Sequence, residues 1–185
     1  MSVRVLRAAS REAVPWKNGG GITREIAAWP QDAGMADFAW RISLAEVAAD
    51  GPFSAFPGVD RILTMAEGAG MDLTVGGERR LVDTCCVPQH FPGDVATNCR
   101  LLGGRVVNFN VMYRRDRTFA TVAVVRGESA VTVPPGGTVV IVALDGTASF
   151  DGVTLGRYDA AVVRSPVALL AEGQTAVVTL LETGA

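Results

Sequence analysis

Histidine and lysine are almost missing from this sequence. Its single histidine is His90, and its 17 basic residues are all arginines except Lys17. One imidazole cannot supply the paired or triple histidine ligands that many metal enzymes gather around an ion, so no metal and no cofactor are expected. Cysteine is nearly as scarce. Cys85, Cys86 and Cys99 make no CxxC pair, and in a strand Cys85 and Cys86 would face opposite sides. A surplus of positive charge is absent too: 17 basic residues stand against 19 acidic ones, a net charge of -2, which argues against nucleic acid as a partner. No glycine-rich loop has the Rossmann or phosphate-loop arrangement. Arg4, Arg7, Arg11 and Glu12 interrupt the start with no apolar run behind them. No signal peptide or membrane partner is therefore expected, and the cytoplasm is the expected compartment.

The chain does have glycine and apolar residues in abundance, 21 glycines and 49% hydrophobic residues among 185, enough for a real core. They fall into short alternating segments between turns. Trp40, Ile42 and Leu44 oppose Arg41, Ser43 and Ala45. Met71, Leu73 and Val75 lie between Gly70 and Gly76-Gly77, and a similar style continues over Leu81–Cys86. Val106–Met112, Phe119–Val125, Ala130–Val133, Thr138–Leu144 and Ala176–Leu181 follow, with Pro134-Pro135-Gly136-Gly137 as the clearest turn. A helix starting near Ala45 would be stopped by Gly51-Pro52, so a strand is the more economical reading. The pattern predicts an all-β chain of antiparallel strands, closed into two small barrels or folded over as a sandwich.

One stretch differs from the rest, Val14-Pro15-Trp16-Lys17-Asn18-Gly19-Gly20-Gly21-Ile22-Thr23-Arg24-Glu25-Ile26. Its glycines permit positive φ and close backbone approach, and they present Trp16, Lys17 and Asn18 beside an extended segment. In that segment Thr23 and Glu25 share one face. Lys17 is a candidate partner for a ligand carboxylate, with Asn18 as donor and Arg41 and Arg61 as further anion anchors. Trp16 is a candidate stacking surface. Each has a plainer alternative: Lys17 in solvent, Trp16 packed at a barrel mouth, and Glu25 paired with Arg24, Arg41 or Arg61. Asn108 and Asn110 share strand parity, either facing a ligand or satisfying a sheet edge.

Trp16-Lys17-Asn18-Gly19-Gly20-Gly21 followed by Thr23-Arg24-Glu25 closely resembles the HutD/Ves family of the cupin superfamily. The resemblance continues through Trp40–Ser43, Gly51–Ser54, Phe56–Arg61 and Asn108–Met112, covering most of the chain. It implies a bicupin-like fold, two small antiparallel β-barrels or jelly-roll halves packed in one chain. The halves are expected at residues 1–117 and 118–185, with strand exchange between them. It also implies an association with bacterial histidine utilisation and a ligand such as formylglutamate or urocanate. The usual cupin metal ligands, several histidines and a glutamate, have no counterpart here, so metal chemistry does not carry over.

The expected function is thus noncatalytic binding of a small anionic metabolite by Trp16, Lys17, Asn18, Glu25, Arg41, Arg61, Asn108 and Asn110. Two alternatives stand beside it. One is a metal-independent isomerase or hydrolase that uses Glu25 or His90 for acid-base work on a small carboxylate. The other is a homodimeric scaffold for a pathway protein.

Overall fold

The computed structural model describes residues 3–183. Among them strands dominate, and the helical content is limited to a 3-10 turn at Ala8–Ser10. Contacts group the chain into two compact units. One is Glu12–Asp116; the other joins residues up to Arg11 with those from Arg117 on. The sequence reading divides the chain at 117/118, whereas the contacts place the first strand, β1 (Val3–Leu6), with the C-terminal residues.

The Glu12–Asp116 unit contains β2 (Val14–Pro15), β3 (Gly21–Trp29), β4 (Trp40–Val47), β5 (Gly51–Pro52) and β6 (Val59–Glu67). It continues through β7 (Met71–Val75), β8 (Glu78–Val82), β9 (Gln89–Pro92), β10 (Thr97–Leu101) and β11 (Val106–Arg114). Its six-stranded sheet runs β2-β3-β4-β11-β6-β9 and its four-stranded sheet β5-β10-β7-β8, every pairing antiparallel. The alternation read over residues 40–45 and 71–75 is the strand parity of β4 and β7. Gly76 and Gly77, both at positive φ, make the tight turn between β7 and β8. Cys85 and Cys86 lie in a turn rather than in a strand, with Cys86 at φ 65.

The core of this unit draws Leu63 and Met65 of one sheet against Met71, Leu73, Val75 and Cys99 of the other. Burial pushes the Cys99 thiol up to about 11, helped by the negative charges of Asp50 and Asp72.

The second unit is one seven-stranded sheet. β1 pairs β16 (Ala160–Val163), and the order continues through β13 (Thr138–Ala143), β17 (Val167–Glu182), β14 (Ala148–Phe150) and β15 (Val153–Leu155). β12 (Thr118–Val131) pairs β17 along nearly its whole length, with a bulge at Val125/Gly127. The two segments read separately as Phe119–Val125 and Ala130–Val133 are thus largely one bulged strand. Its core cluster includes Val139, Ile141, Phe150, Leu155, Val163 and Leu169, and the unit also buries the hydroxyls of Thr118 and Thr175.

Candidate ligand-binding site

Strand register decides which side chains meet on the inner face of the six-stranded sheet. Across β3, β4, β11 and β6 three rungs line up. The first is Thr23, Ala45, Asn108 and Met65; the second is Glu25, Ser43, Asn110 and Leu63; the third is Ala28, Arg41, Met112 and Arg61. Registered partners project to the same side of a sheet, so Arg41, Arg61, Asn108 and Asn110 converge. β11 is flanked on both sides by β4 and β6, so its two asparagines do not satisfy a sheet edge. They line a cavity of about 570 Å³.

Seven of the eight residues picked from the sequence line this cavity: Trp16, Lys17, Asn18, Arg41, Arg61, Asn108 and Asn110. Glu25 does not. Its carboxylate accepts from Arg41 Nε at 2.6 Å, so it orients that guanidinium and leaves Arg41 Nη1 and Nη2 available. The pair is partly open to water, with Glu25 41% exposed.

The triple glycine has three different causes. Gly19 adopts φ 72, which closes the turn from Trp16, and Gly20 donates its N–H to Asn18 Oδ1 at 3.0 Å. A Cβ on Gly21 would run into Glu46 O and press on the Trp16 ring at 3.1 Å. Gly21 thus allows the indole to lie flat on the strand, where Trp16 Nε1 donates to Thr23 Oγ1 at 2.7 Å. The Trp16 ring is therefore fixed as part of the wall. Lys17 and Asn18 stand exposed at the mouth, and Lys17 forms no ion pair among the described residues.

Arg61 is the unusual group. It is 7% exposed, and among the described residues no carboxylate pairs with it. Its Nη2 donates to Asn110 Oδ1 at 3.3 Å, while its guanidinium carbon lies 5.1 Å from the Phe53 ring centre and 5.5 Å from that of Phe91. Burial pushes its pKa down to about 10, which keeps it charged at neutral pH. Two turns hold it in place. Phe56 N donates to Gly93 O and Gly93 N to Val59 O, at 2.8 and 2.7 Å. Gly93 also leaves room for the Arg61 stem, whose Cγ would lie 3.2 Å from a Cβ there. Arg115 clamps the same turns through Asp60 at 2.7 Å and both oxygens of Asp94 at 2.9 Å. That clamp raises the Arg115 guanidinium above its ordinary pKa and holds the Asp94 carboxyl below its own.

The sequence reading missed several lining residues. Ser43 and Met112 carried a usable signal, since they share strand parity with Arg41 and with Asn110. Phe53, Phe56 and Met35 lie outside the regular strands and gave none. His90 pairs with Ile62, whereas Phe91 pairs with Arg61, so the imidazole lies on the opposite face of the sheet from the cavity. Among the described residues no three His, Cys, Asp or Glu side chains come together as a metal site. What the cavity offers is a buried guanidinium, two amides and aromatic walls, a set suited to holding a small anion with a flat or apolar body.

Comparisons with known proteins bear on this site. An uncharacterized 21.2 kDa Pseudomonas putida protein in the hutC 3′ region is 39% identical over 117 residues, 62% of this chain and 60% of that protein. Protein Ves of Cronobacter sakazakii is 40% identical over 110 residues, 59% of each chain. The matched stretch is thus about 60% of the length of these curated relatives. The solved structure of HutD from Pseudomonas fluorescens SBW25 superposes with a TM-score of 0.90 at 32% identity, covering 99% of this chain and 100% of that one. More distant likeness, below 25% identity, is to cupin-like structures and concerns fold alone. The HutD family model matches residues 8–180, and the chain belongs to the HutD family.

Proposed function

We propose that this protein is a noncatalytic small-molecule-binding protein that modulates bacterial histidine utilisation by holding an anionic pathway intermediate, such as formylglutamate or urocanate. The observation that carries the reading is Arg61, a buried guanidinium that lines a cavity and has no carboxylate partner among the described residues. Removing a charge from water is costly, and a protein that leaves it unpaired gains when a ligand anion arrives. Arg41, steadied by Glu25, and Lys17 at the mouth add positive potential along the way in. The association with histidine utilisation comes from the family and from the relative named for the hutC 3′ region.

Binding acts here by shifting a conformation or a partner interaction, and the proposal places it in the cytoplasm. No helix among the described residues is long and apolar enough to cross a membrane. Acid-base catalysis by His90 or Glu25 finds no support in the geometry, because neither lines the cavity. Calorimetric titration of protein stripped of native ligand, with formylglutamate and with urocanate, tests the reading. At least one should bind, and Arg61→Met should weaken it about 100-fold, the value of a charge-assisted bidentate contact. If neither acid binds, or Arg61→Met binds as well as the unaltered protein, the reading fails.

A further inference from the structure

The cavity wall holds two buried polar atoms of opposite kind that find no partner among the described residues: Arg61 Nε, a donor, and Asn108 Oδ1, an acceptor. The other ends of both side chains are occupied. Arg61 Nη2 donates to Asn110 Oδ1, and Asn108 Nδ2 donates to Met71 Sδ at 3.7 Å. In this arrangement the amide nitrogen faces the sulfur and the oxygen is left unserved. Asn108 is completely buried, so bulk water does not reach that oxygen. An unmet acceptor of this kind is costly inside a protein.

The spacing follows from the strand. Asn108, Asn110 and Met112 project from one face of β11, with Arg61 registered beside Met112 and reaching back to Asn110. The orphan acceptor therefore lies roughly one two-residue step, about 6–7 Å, beyond the guanidinium anchor. A bare carboxylate satisfies Arg61 and does nothing for Asn108.

We infer that Asn108 is a specificity-determining residue: it accepts a hydrogen bond from the ligand, so the cavity selects a carboxylate that carries an N–H or O–H donor about 5–7 Å from its charge. This inference rests on the anion-binding reading of the same cavity and adds a second requirement to it. A site built to accept a hydrogen bond discriminates strongly against an analogue that lacks the donor, because the buried acceptor is then left unpaired.

Two matched pairs of acids test it. N-formyl-L-glutamate is compared with glutarate, which lacks the formamido N–H, and urocanate with cinnamate, which lacks the ring N–H. Each is titrated calorimetrically into the unaltered protein and into Asn108→Leu, which keeps side-chain volume and removes the acceptor. In the unaltered protein the donor-bearing member should bind about ten- to a hundred-fold more tightly. In Asn108→Leu that ratio should fall toward one. Equal affinities within each pair that binds overturn the inference and leave the anion reading standing. A ratio that persists in Asn108→Leu places the selectivity elsewhere and also overturns it. If none of the four acids binds, the anion reading falls and this inference falls with it. The comparison within each pair uses the unaltered protein, so it holds even if Asn108→Leu does not fold.

Discussion

The two β units of this chain share strand chemistry and differ in what they put inside. The unit that joins residues up to Arg11 with those from Arg117 on packs Val139, Ile141, Leu155, Val163 and Leu169 into an apolar cluster, and its buried polar residues among those described, Thr118 and Thr175, are neutral hydroxyls. The Glu12–Asp116 unit packs a comparable set and then places Arg61, Asn108, Asn110 and Ser43 on its inner face. Every apolar group added to the first interior stabilises it. Each polar group retained in the second costs stability unless it is matched, and Arg61 and Asn108 are matched incompletely. The comparison teaches where the interior is closed by apolar packing with neutral hydroxyls and where a charged group and amides have been kept inside.

The sharpest way to break that contrast is to damage the filled interior. Ile141→Ala should cost about 2–5 kcal/mol in chemical unfolding and leave ligand affinity of the folded protein unchanged; an equal loss of affinity would mean that the interiors are not separate in purpose. Arg61→Met should do the reverse. Its unfolding free energy should stay level or rise by about 1–2 kcal/mol while binding weakens about 100-fold, because a buried charge without a partner is replaced by a hydrocarbon of similar length. A clear fall in stability with binding intact would make Arg61 structural.

Gly21→Ala lies between these extremes. The added Cβ meets Glu46 O and the Trp16 ring, so both stability, by about 1–3 kcal/mol, and affinity should drop. Lys17→Ala should move affinity by about two- to five-fold with no change in melting temperature, and the effect should fade in added salt.

The smallest expected effect is with pH. Burial lowers Arg61 from its ordinary value to about 10, so affinity for an acid already ionised throughout should be flat from about pH 6 to 9 and decline above about 10. The same shift works against folding below about pH 10, where the charge is buried, and that penalty lifts as the pH rises above it.

Much of this was legible in the sequence because strand parity is a local rule. Alternation alone separates Trp40, Ile42 and Leu44 from Arg41, Ser43 and Ala45, and it places Asn108 and Asn110 together. The glycine-rich segment announced a close approach, and Gly21 supplies one. What alternation cannot give is which strands become neighbours. Arg41 and Arg61 converge because β11 inserts between β4 and β6, a pairing of residues about 50 to 70 apart in sequence that no local pattern encodes. For Glu25 the sequence left ligand contact and pairing with an arginine both open, and the structure shows the Arg41 pair. Glu25 has the inward parity, yet it holds Arg41 and stays out of the cavity lining. Phe53 and Phe56 sit outside the strands, where no periodicity says which way a ring turns.

The pairing of β1 with β16 has a consequence for the order in which this protein is made. Every residue that lines the cavity belongs to the uninterrupted stretch Glu12–Asp116, so the whole cavity lining emerges from the ribosome before any residue of the second unit beyond Arg11. Val3–Leu6, synthesised earlier than all of them, has to wait for Ala160–Val163 before its edge is covered. During synthesis the nascent chain therefore holds a bare strand ahead of a unit that already contains its complete cavity lining.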